Sequence, residues 1–130
     1  MAFLLLDIDD FKVINDTYGH QEGDNVLQRI AESGRSVLRR GDLFGRIGGE
    51  EFAAVFPGCP PDMALQVAER LQREIQRLNF RCGEQSFGIT VSQGLTTITP
   101  EDQSLDSLFA RADAAMYEAK RKGKNRIIAA

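Results

Sequence analysis

An apolar run that ends in a cluster of carboxylates places the strongest constraint on the fold. Residues 3–8 read Phe-Leu-Leu-Leu-Asp-Ile, and Asp9 and Asp10 follow at once. The run is far shorter than the ~20 apolar residues that span a bilayer, and it is too short for the core of a signal peptide. It therefore predicts a buried central strand whose end carries a loop of acidic side chains.

Four later segments have apolar residues at helical spacing and predict helices. They cover residues 10–18, 22–40, 62–78 and 104–122. Gly19 suits the end of the first helix, Gly34 lies on the apolar face of the second and indicates close packing, and Ser104 could cap the fourth. The predicted inner face of the fourth helix consists of Leu105, Leu108, Ala112, Ala115, Met116 and Ala119.

The remaining apolar segments predict strands. Residues 43–47 and 51–56 are joined by Gly48-Gly49-Glu50, which is typical of a β-hairpin. Residues 86–98 are rich in β-branched side chains, and residues 125–129 could add an edge strand. Because helices are interspersed with a hairpin and single strands, the sequence predicts one α+β domain over residues 1–130, with a central, largely antiparallel β-sheet flanked by helices.

The charge of the chain narrows the class of ligand. The 130 residues carry a net charge of −3, whereas a protein that binds long nucleic acid is usually basic. Any nucleotide would therefore be held by a local site, and no polymeric nucleic acid is expected as a partner. The two cysteines, Cys59 and Cys82, lack metal-ligand spacing and indicate reduced thiols in a cytosolic fold.

Two acidic segments could meet at one point in this fold. Asp7, Asp9 and Asp10 stand at the end of the first strand, and Glu50 and Glu51 stand at the tip of the hairpin. Mg²⁺ prefers one or two carboxylates together with substrate phosphates, and two such ions roughly 3.5–4 Å apart can clamp a phosphoryl transfer. Taken alone, however, each segment is more often a solvated acidic loop.

The hairpin sequence Gly-Gly-Glu-Glu-Phe at residues 48–52 resembles the signature of the GGDEF family of diguanylate cyclases, in its Glu variant. Further matches follow in the family's order and spacing. They are DIDDFKVIND at 7–16, GHQEGD at 19–24, SQG at 92–94, ADAAMYEAK at 112–120 and GKN at 123–125. The resemblance implies a palm-like nucleotide-cyclase fold and the condensation of two GTP into cyclic di-GMP with release of two pyrophosphates.

The resemblance also assigns roles at the metal site. It implies two Mg²⁺ ions, with Mn²⁺ as a possible substitute, held by Asp7, Glu50 and the backbone carbonyl of Ile8. Glu51 is implied as a further metal ligand or as the group that helps deprotonate the attacking 3′-hydroxyl. Lys12 is implied as a catalytic contact to the phosphates.

The substrate contacts are implied in the same way. Asn15 and Asp24 would read guanine, and Phe11 belongs to the loop whose backbone N–H groups face the phosphates. Gly48 and Gly49 would let the hairpin backbone pass close to the nucleotide. The remaining phosphate contacts would be Lys120 and Lys124, where Lys124 replaces the more usual Arg and loses bidentate geometry.

An R-x-x-D pattern precedes the hairpin at the family's spacing. By resemblance Arg39 and Asp42 form a product-inhibition site for cyclic di-GMP, and Arg70 resembles a further arginine of that site. The alternative is a charged helix end, because arginine is favourable near a helix C-terminus in any case.

The resemblance further implies a cytoplasmic bacterial domain that works as a homodimer, is joined to a sensor domain and makes no membrane contact of its own. Family members carry a helix and a D-x-L-T segment ahead of the first strand, so we expect an N-terminally truncated form of the domain. Two alternatives stay open: a module that binds GTP or cyclic di-GMP without turnover, and an adenylate-specific cyclase. Asn15 and Asp24 argue against the second.

Overall fold

The computed structural model describes all residues from 1 to 130. The elements are β1 (Ala2–Ile8), α1 (Phe11–Tyr18), α2 (His20–Val37), β2 (Leu43–Gly48), β3 (Glu51–Phe56), α3 (Pro61–Gln76), β4 (Phe80–Cys82), β5 (Gln85–Phe87), β6 (Val91–Thr97), α4 (Leu105–Arg121) and β7 (Arg126–Ala129). None of the helices combines the length and the apolarity that crossing a bilayer requires.

A five-stranded sheet in the order β2-β3-β1-β6-β7 forms the centre of the molecule. All its pairings are antiparallel except that of β6 with β7, which is parallel. The acidic strand β1 lies in the middle, as the sequence predicts, and β7 is an edge strand. The prediction of an α+β fold with a largely antiparallel sheet is therefore confirmed.

Successive side chains along β1 point to opposite faces of the sheet, so that apolar side chains of β1 join a core on each face. Leu4, Leu6 and Ile8 join the main apolar cluster, to which α1, α2 and α3 contribute. Leu5 points the other way and packs with Ala112 and Met116 of α4. Helices thus cover both faces, and α4 lies across β1, β6 and β7.

The helix boundaries differ from the predicted ones at the loops. Helix α2 ends at Val37 and not at residue 40, because Leu38 is extended and the backbone N–H of Arg39 donates to Asp42 Oδ2 at 2.9 Å. Ser104 occupies the N-cap position of α4, but its side chain makes no capping hydrogen bond. Leu105 was wrongly placed on the inner face, since it is 73 % exposed.

The predicted strand region 86–98 is interrupted. Residues 88–90 leave the strand conformation, so that β5 pairs with the unpredicted strand β4 in a separate two-stranded sheet. Phe87 of β5 stacks on Tyr18, with ring centroids 3.9 Å apart. The short hairpin therefore covers the end of α1.

Two buried glycines allow helices to pack directly on their neighbours. A Cβ atom at Gly34 of α2 would lie 2.2 Å from the Phe44 ring, which confirms the close packing predicted there. A Cβ atom at Gly94 of β6 would lie 2.1 Å from the carbonyl oxygen of Ala112 and 2.4 Å from the amide nitrogen of Met116. The backbone of α4 thus rests on β6 at a glycine.

We expect Gly94→Ala to destabilise the domain strongly, because the added methyl group collides with helix backbone that cannot rotate away. Overpacking of this kind costs on the order of 3 kcal/mol. The matched control is Gly45→Ala in β2, where a Cβ atom would meet nothing within 4 Å, and where the change should stay within about 0.5 kcal/mol. Urea unfolding measures both; equal midpoints for the two variants would contradict the packing account.

Candidate functional site

The end of β1 and the tip of the β2–β3 hairpin are brought together by antiparallel pairing. Asp7 stands opposite Glu51 in the register of β1 and β3. The backbone N–H of Ile8 donates to the carbonyl oxygen of Glu50 at 3.3 Å. The Ile8 side chain is fully buried, so only its backbone can contribute to a site. The two acidic segments of the sequence therefore do meet.

The carboxylates at this meeting point repel one another. Burial raises the pKa of Asp7 above its ordinary value, and the charges of Asp9 and Asp113 add to that effect. Burial, followed by the charge of Asp7, likewise raises the pKa values of Glu50 and Glu51. Such a group of carboxylates is short of positive charge.

Lys120 of α4 is the cation nearest to these carboxylates. Its Nζ atom lies 3.1 Å from Asp7 Oδ1, although that oxygen, which is buried, forms no hydrogen bond of acceptable geometry. Its charge opposes the rise in the pKa of Asp7. An open cleft of about 450 Å³ beside this pair is lined by Asp7, Glu51, Asp113, Tyr117 and Lys120, among others.

The donor set fits a hard divalent cation. No three His, Cys, Asp or Glu side chains are close enough to form a complete protein cage, but Mg²⁺ commonly takes only one or two carboxylates and completes its shell with water and substrate phosphates. Crowded carboxylates with a buried oxygen that lacks a hydrogen bond suit that ion. Asp7, Glu50, Glu51 and the Ile8 carbonyl are the groups that would hold it.

Asp9 plays a role that the sequence did not reveal. Its side chain is 2 % exposed and accepts hydrogen bonds from Thr90 Oγ1 at 2.6 Å, Ser92 Oγ at 2.7 Å and the backbone N–H of Asn125 at 3.0 Å. Lys120 Nζ lies 3.5 Å from it. Asp9 therefore anchors the lysine and the turn before β7, and the hydroxyl residues on and just before β6 were the available signal.

Lys124 lies beside the loop that opens α1. Its Nζ atom donates to Asp10 Oδ1 at 2.6 Å. Asp10, Lys124 and Asn125 all have positive φ angles, of 56°, 65° and 50°. Left-handed backbone at non-glycine residues is uncommon and concentrates at functional sites, and here it brings the predicted phosphate-binding lysine to the start of α1.

The corner between α1 and α2 carries the predicted guanine-binding pair. Gly19, with φ 97°, ends α1 and begins α2. Asn15 is half-buried and Asp24 is exposed. Gly23, next to Asp24, is buried, and its Cα faces the Asn15 side chain, because a Cβ atom there would lie 1.8 Å from Asn15 Oδ1. Asn15 of α1 therefore contacts the residue of α2 that directly precedes Asp24.

The remaining predicted contacts lie at the start of α1 and at the hairpin tip. The Phe11 side chain is buried in the main core, so Phe11 could contact a ligand only through its backbone N–H. Lys12 is exposed on the first turn of α1. In the hairpin tip Gly49 has φ 51°, and Arg46 Nε donates to its carbonyl oxygen at 2.7 Å.

The family assignment rests on the whole length of the chain. The profile of the family described as "Diguanylate cyclase, GGDEF domain" matches residues 1–126. The chain belongs to the GGDEF family. Among curated relatives it is 43 % identical over 129 residues to Diguanylate cyclase DgcM of Escherichia coli K12, covering 99 % of this chain and 30 % of DgcM.

Other relatives agree with this assignment. Diguanylate cyclase A of Treponema denticola is 37 % identical over 127 residues, covering 98 % of this chain and 34 % of that protein. Among solved structures, diguanylate cyclase SiaD in complex with its activator SiaC from Pseudomonas aeruginosa superposes with a TM-score of 0.95 at 39 % identity, covering 99 % of this chain and 49 % of SiaD. The GGDEF domain of DgcB from Caulobacter crescentus in complex with c-di-GMP gives 0.93 at 37 % identity, covering 98 % and 74 %. The chain spans about a third of the length of these curated relatives.

The R-x-x-D residues of this GGDEF domain lie away from the carboxylates. Arg39 forms two side-chain hydrogen bonds with Asp42, both of 3.2 Å, and the Asp42 side chain is only 2 % exposed. Arg39 Nη1 also lies 3.4 Å from Met63 Sδ in the first turn of α3. Arg70 follows Met63 by seven residues, so it lies on the same side of α3, about 10 Å farther along.

We expect Glu51→Gln to raise the melting temperature at neutral pH in the absence of divalent cations. The pKa of Glu51 is raised in the folded domain, so ionisation costs folding free energy as the pH rises from the ordinary value of 4.5 through the folded value. The cost is complete at neutral pH and absent well below pH 4.5, where both states are protonated.

Thermal melts at pH 7 and at about pH 3 measure this difference. Glu84→Gln, in the exposed turn between β4 and β5, is the matched control and should leave the melting temperature unchanged. A Glu51→Gln variant that melts at or below the wild-type temperature at pH 7 would show that burial and the neighbouring carboxylates do not disfavour ionised Glu51.

Proposed function

We propose that this chain is the catalytic domain of a diguanylate cyclase, which condenses two GTP into cyclic di-GMP and two pyrophosphates. The observation that carries the proposal is the meeting of Asp7, Glu50 and Glu51 beside Lys120, within a chain that matches the GGDEF family over its length. The diguanylate cyclase names of its relatives support the same reaction.

The acidic residues would help to activate the attacking 3′-hydroxyl group. Asp7, Glu50, Glu51 and the Ile8 carbonyl are the groups to hold two Mg²⁺ ions, or Mn²⁺ in their place. Bound there, the metals lower the proton affinity of the ribose 3′-hydroxyl and stabilise charge on the phosphate under attack. Glu51 is suited to accept the hydroxyl proton, because a raised pKa makes a carboxylate a better base.

The basic groups around the cleft would hold the triphosphate. Lys12, Lys120 and Lys124 surround the start of α1, where the backbone N–H of Phe11 and its neighbours are free of helical partners. Lys120 and Lys124 now neutralise Asp7 and Asp10. A bound phosphate would compete with the carboxylates for both ammonium groups, which would leave Asp7 available as a metal ligand.

Asn15 and Asp24 would select guanine. The Asp24 carboxylate can accept hydrogen bonds from the N1–H and the exocyclic amine of guanine, and the Asn15 amide can meet N3 and that amine. Adenine has no N1–H and no amine at this position, so it would leave the carboxylate unpaired. This pairing favours GTP over ATP and speaks against an adenylate cyclase.

Formation of a cyclic dinucleotide requires two GTP molecules that attack each other. One domain offers a single set of guanine, phosphate and carboxylate groups, so two copies must face each other as a homodimer. In a whole bacterial protein a sensor domain would control that pairing in the cytoplasm, where GTP is found. The rate per molecule of this domain should therefore rise with protein concentration.

We expect Glu50→Ala to lower cyclic di-GMP formation by more than about 100-fold, because loss of even an outer-shell group costs 10–100-fold at metal sites. The assay uses GTP and Mg²⁺ across a wide range of protein concentration. Glu84→Ala is the control and should keep full activity. If the wild type binds GTP but forms no product at any concentration, the domain is a binding module and not a cyclase.

We expect Arg39→Ala to leave turnover intact and to raise the inhibitory concentration of added cyclic di-GMP by about 10-fold or more, because a bidentate guanidinium contact is lost. Arg40→Ala is a matched control, since Arg40 is an exposed neighbour that forms no ion pair in this structure. Inhibition that is unchanged in the Arg39 variant would remove Arg39, Asp42 and Arg70 from the proposed product-binding site.

A further inference from the structure

Gly23 lies against the side chain that is proposed to read guanine. It is buried in the first turn of α2, and its Cα faces α1. A Cβ atom at this position would lie 1.8 Å from Asn15 Oδ1, 3.0 Å from Asn15 Cγ and 3.3 Å from Phe11 Cζ. The Asn15 amide thus occupies the space that any other residue at position 23 would fill.

The kind of atom that a Cβ would meet decides what the glycine does. At Gly94 the obstacle is helix backbone, but at Gly23 it is the far end of a short side chain that can rotate about its own bonds. The collision can therefore be relieved at small cost to stability. Relief moves the Asn15 amide out of the place that it holds against α2.

We propose that Gly23 is a positioning residue for guanine selection: its missing Cβ leaves the space that the Asn15 amide occupies. The inference rests on the proposed function, in which Asn15 and Asp24 bind the base of GTP. Asn15 makes no side-chain hydrogen bond within the protein, so its close contact with Gly23 is what orients it.

Gly34 provides a matched comparison on the same helix. It is also buried, and a Cβ atom there would lie 2.2 Å from the Phe44 ring. It stands eleven residues from Gly23, about 16 Å along the helix. Gly34→Ala therefore introduces a comparable collision far from Asn15, and it should lower the melting temperature without changing the choice of base.

The test measures equilibrium binding of 3′-deoxy-GTP and 3′-deoxy-ITP with Mg²⁺. Neither can react, because the attacking hydroxyl is absent, and hypoxanthine lacks the exocyclic amine of guanine. We expect Gly23→Ala to weaken 3′-deoxy-GTP binding by about 10-fold, the effect of one hydrogen bond to a base. The ratio of the affinities for 3′-deoxy-GTP and 3′-deoxy-ITP should fall in Gly23→Ala to the value that the Asn15→Ala variant shows.

A double-mutant cycle separates positioning from a general structural role. If Gly23 acts through Asn15, adding Gly23→Ala to Asn15→Ala should cause no further loss of affinity, because the amide that the methyl group would displace is already absent. If Gly23→Ala alone lowers the melting temperature, the double variant should regain it, because the collision with Asn15 is then absent.

Three results would overturn the inference. They are unchanged guanine preference in Gly23→Ala, an equal loss of affinity in the Asn15→Ala background, and a double variant that unfolds as Gly23→Ala does. Failure of the proposed function looks different, because the wild type would then show no preference for 3′-deoxy-GTP over 3′-deoxy-ATP.

Discussion

The buried carboxylate of Asp9 holds the site together. An ionised carboxylate is costly to bury unless charge and hydrogen bonds compensate it, and Asp9 meets two hydroxyl groups on or beside β6, the backbone N–H of Asn125 and the Lys120 ammonium. These donors belong to segments that are far apart in the chain. Satisfying one charge therefore fixes the end of β1, the C-terminal part of α4 and the turn before β7 relative to one another.

Asn125 extends this anchor to α3. Its backbone N–H donates to Asp9, while its side-chain oxygen accepts from Gln72 Nε2 at 2.8 Å and Gln76 Nε2 at 2.9 Å. Gln72 in turn accepts from Gln93 Nε2 at 2.7 Å within the core. The left-handed turn at Lys124 and Asn125 is thus held from both sides, which explains how an unfavourable backbone can present a lysine at the cleft.

The sequence predicted the parts of the fold that follow from local pattern. The apolar run before Asp7 predicted a central strand, and the Gly-Gly tip before Glu50 predicted a hairpin. The pairing of β1 with β3, which brings the carboxylates together, was left open. Strand β4 was not predicted, and β5 was not separated from β6, because β4 and β5 have three residues each and are too short for alternation of apolar and polar residues to be recognised. The role of Asp9 was also invisible, because its partners lie 81 to 116 residues away.

The buried glycines show that the residue type alone does not reveal whether a position matters for stability or for ligand binding. Gly94 and Gly23 both stand where a Cβ atom would come closer than 2.5 Å to another atom. At Gly94 that atom belongs to helix backbone, so the glycine serves the packing of the fold. At Gly23 that atom belongs to a side chain that can rotate. The fold can therefore tolerate a larger residue at this position, but the orientation of Asn15 would change. Whether a buried glycine serves stability or ligand recognition therefore depends on the atoms that a Cβ at its position would contact.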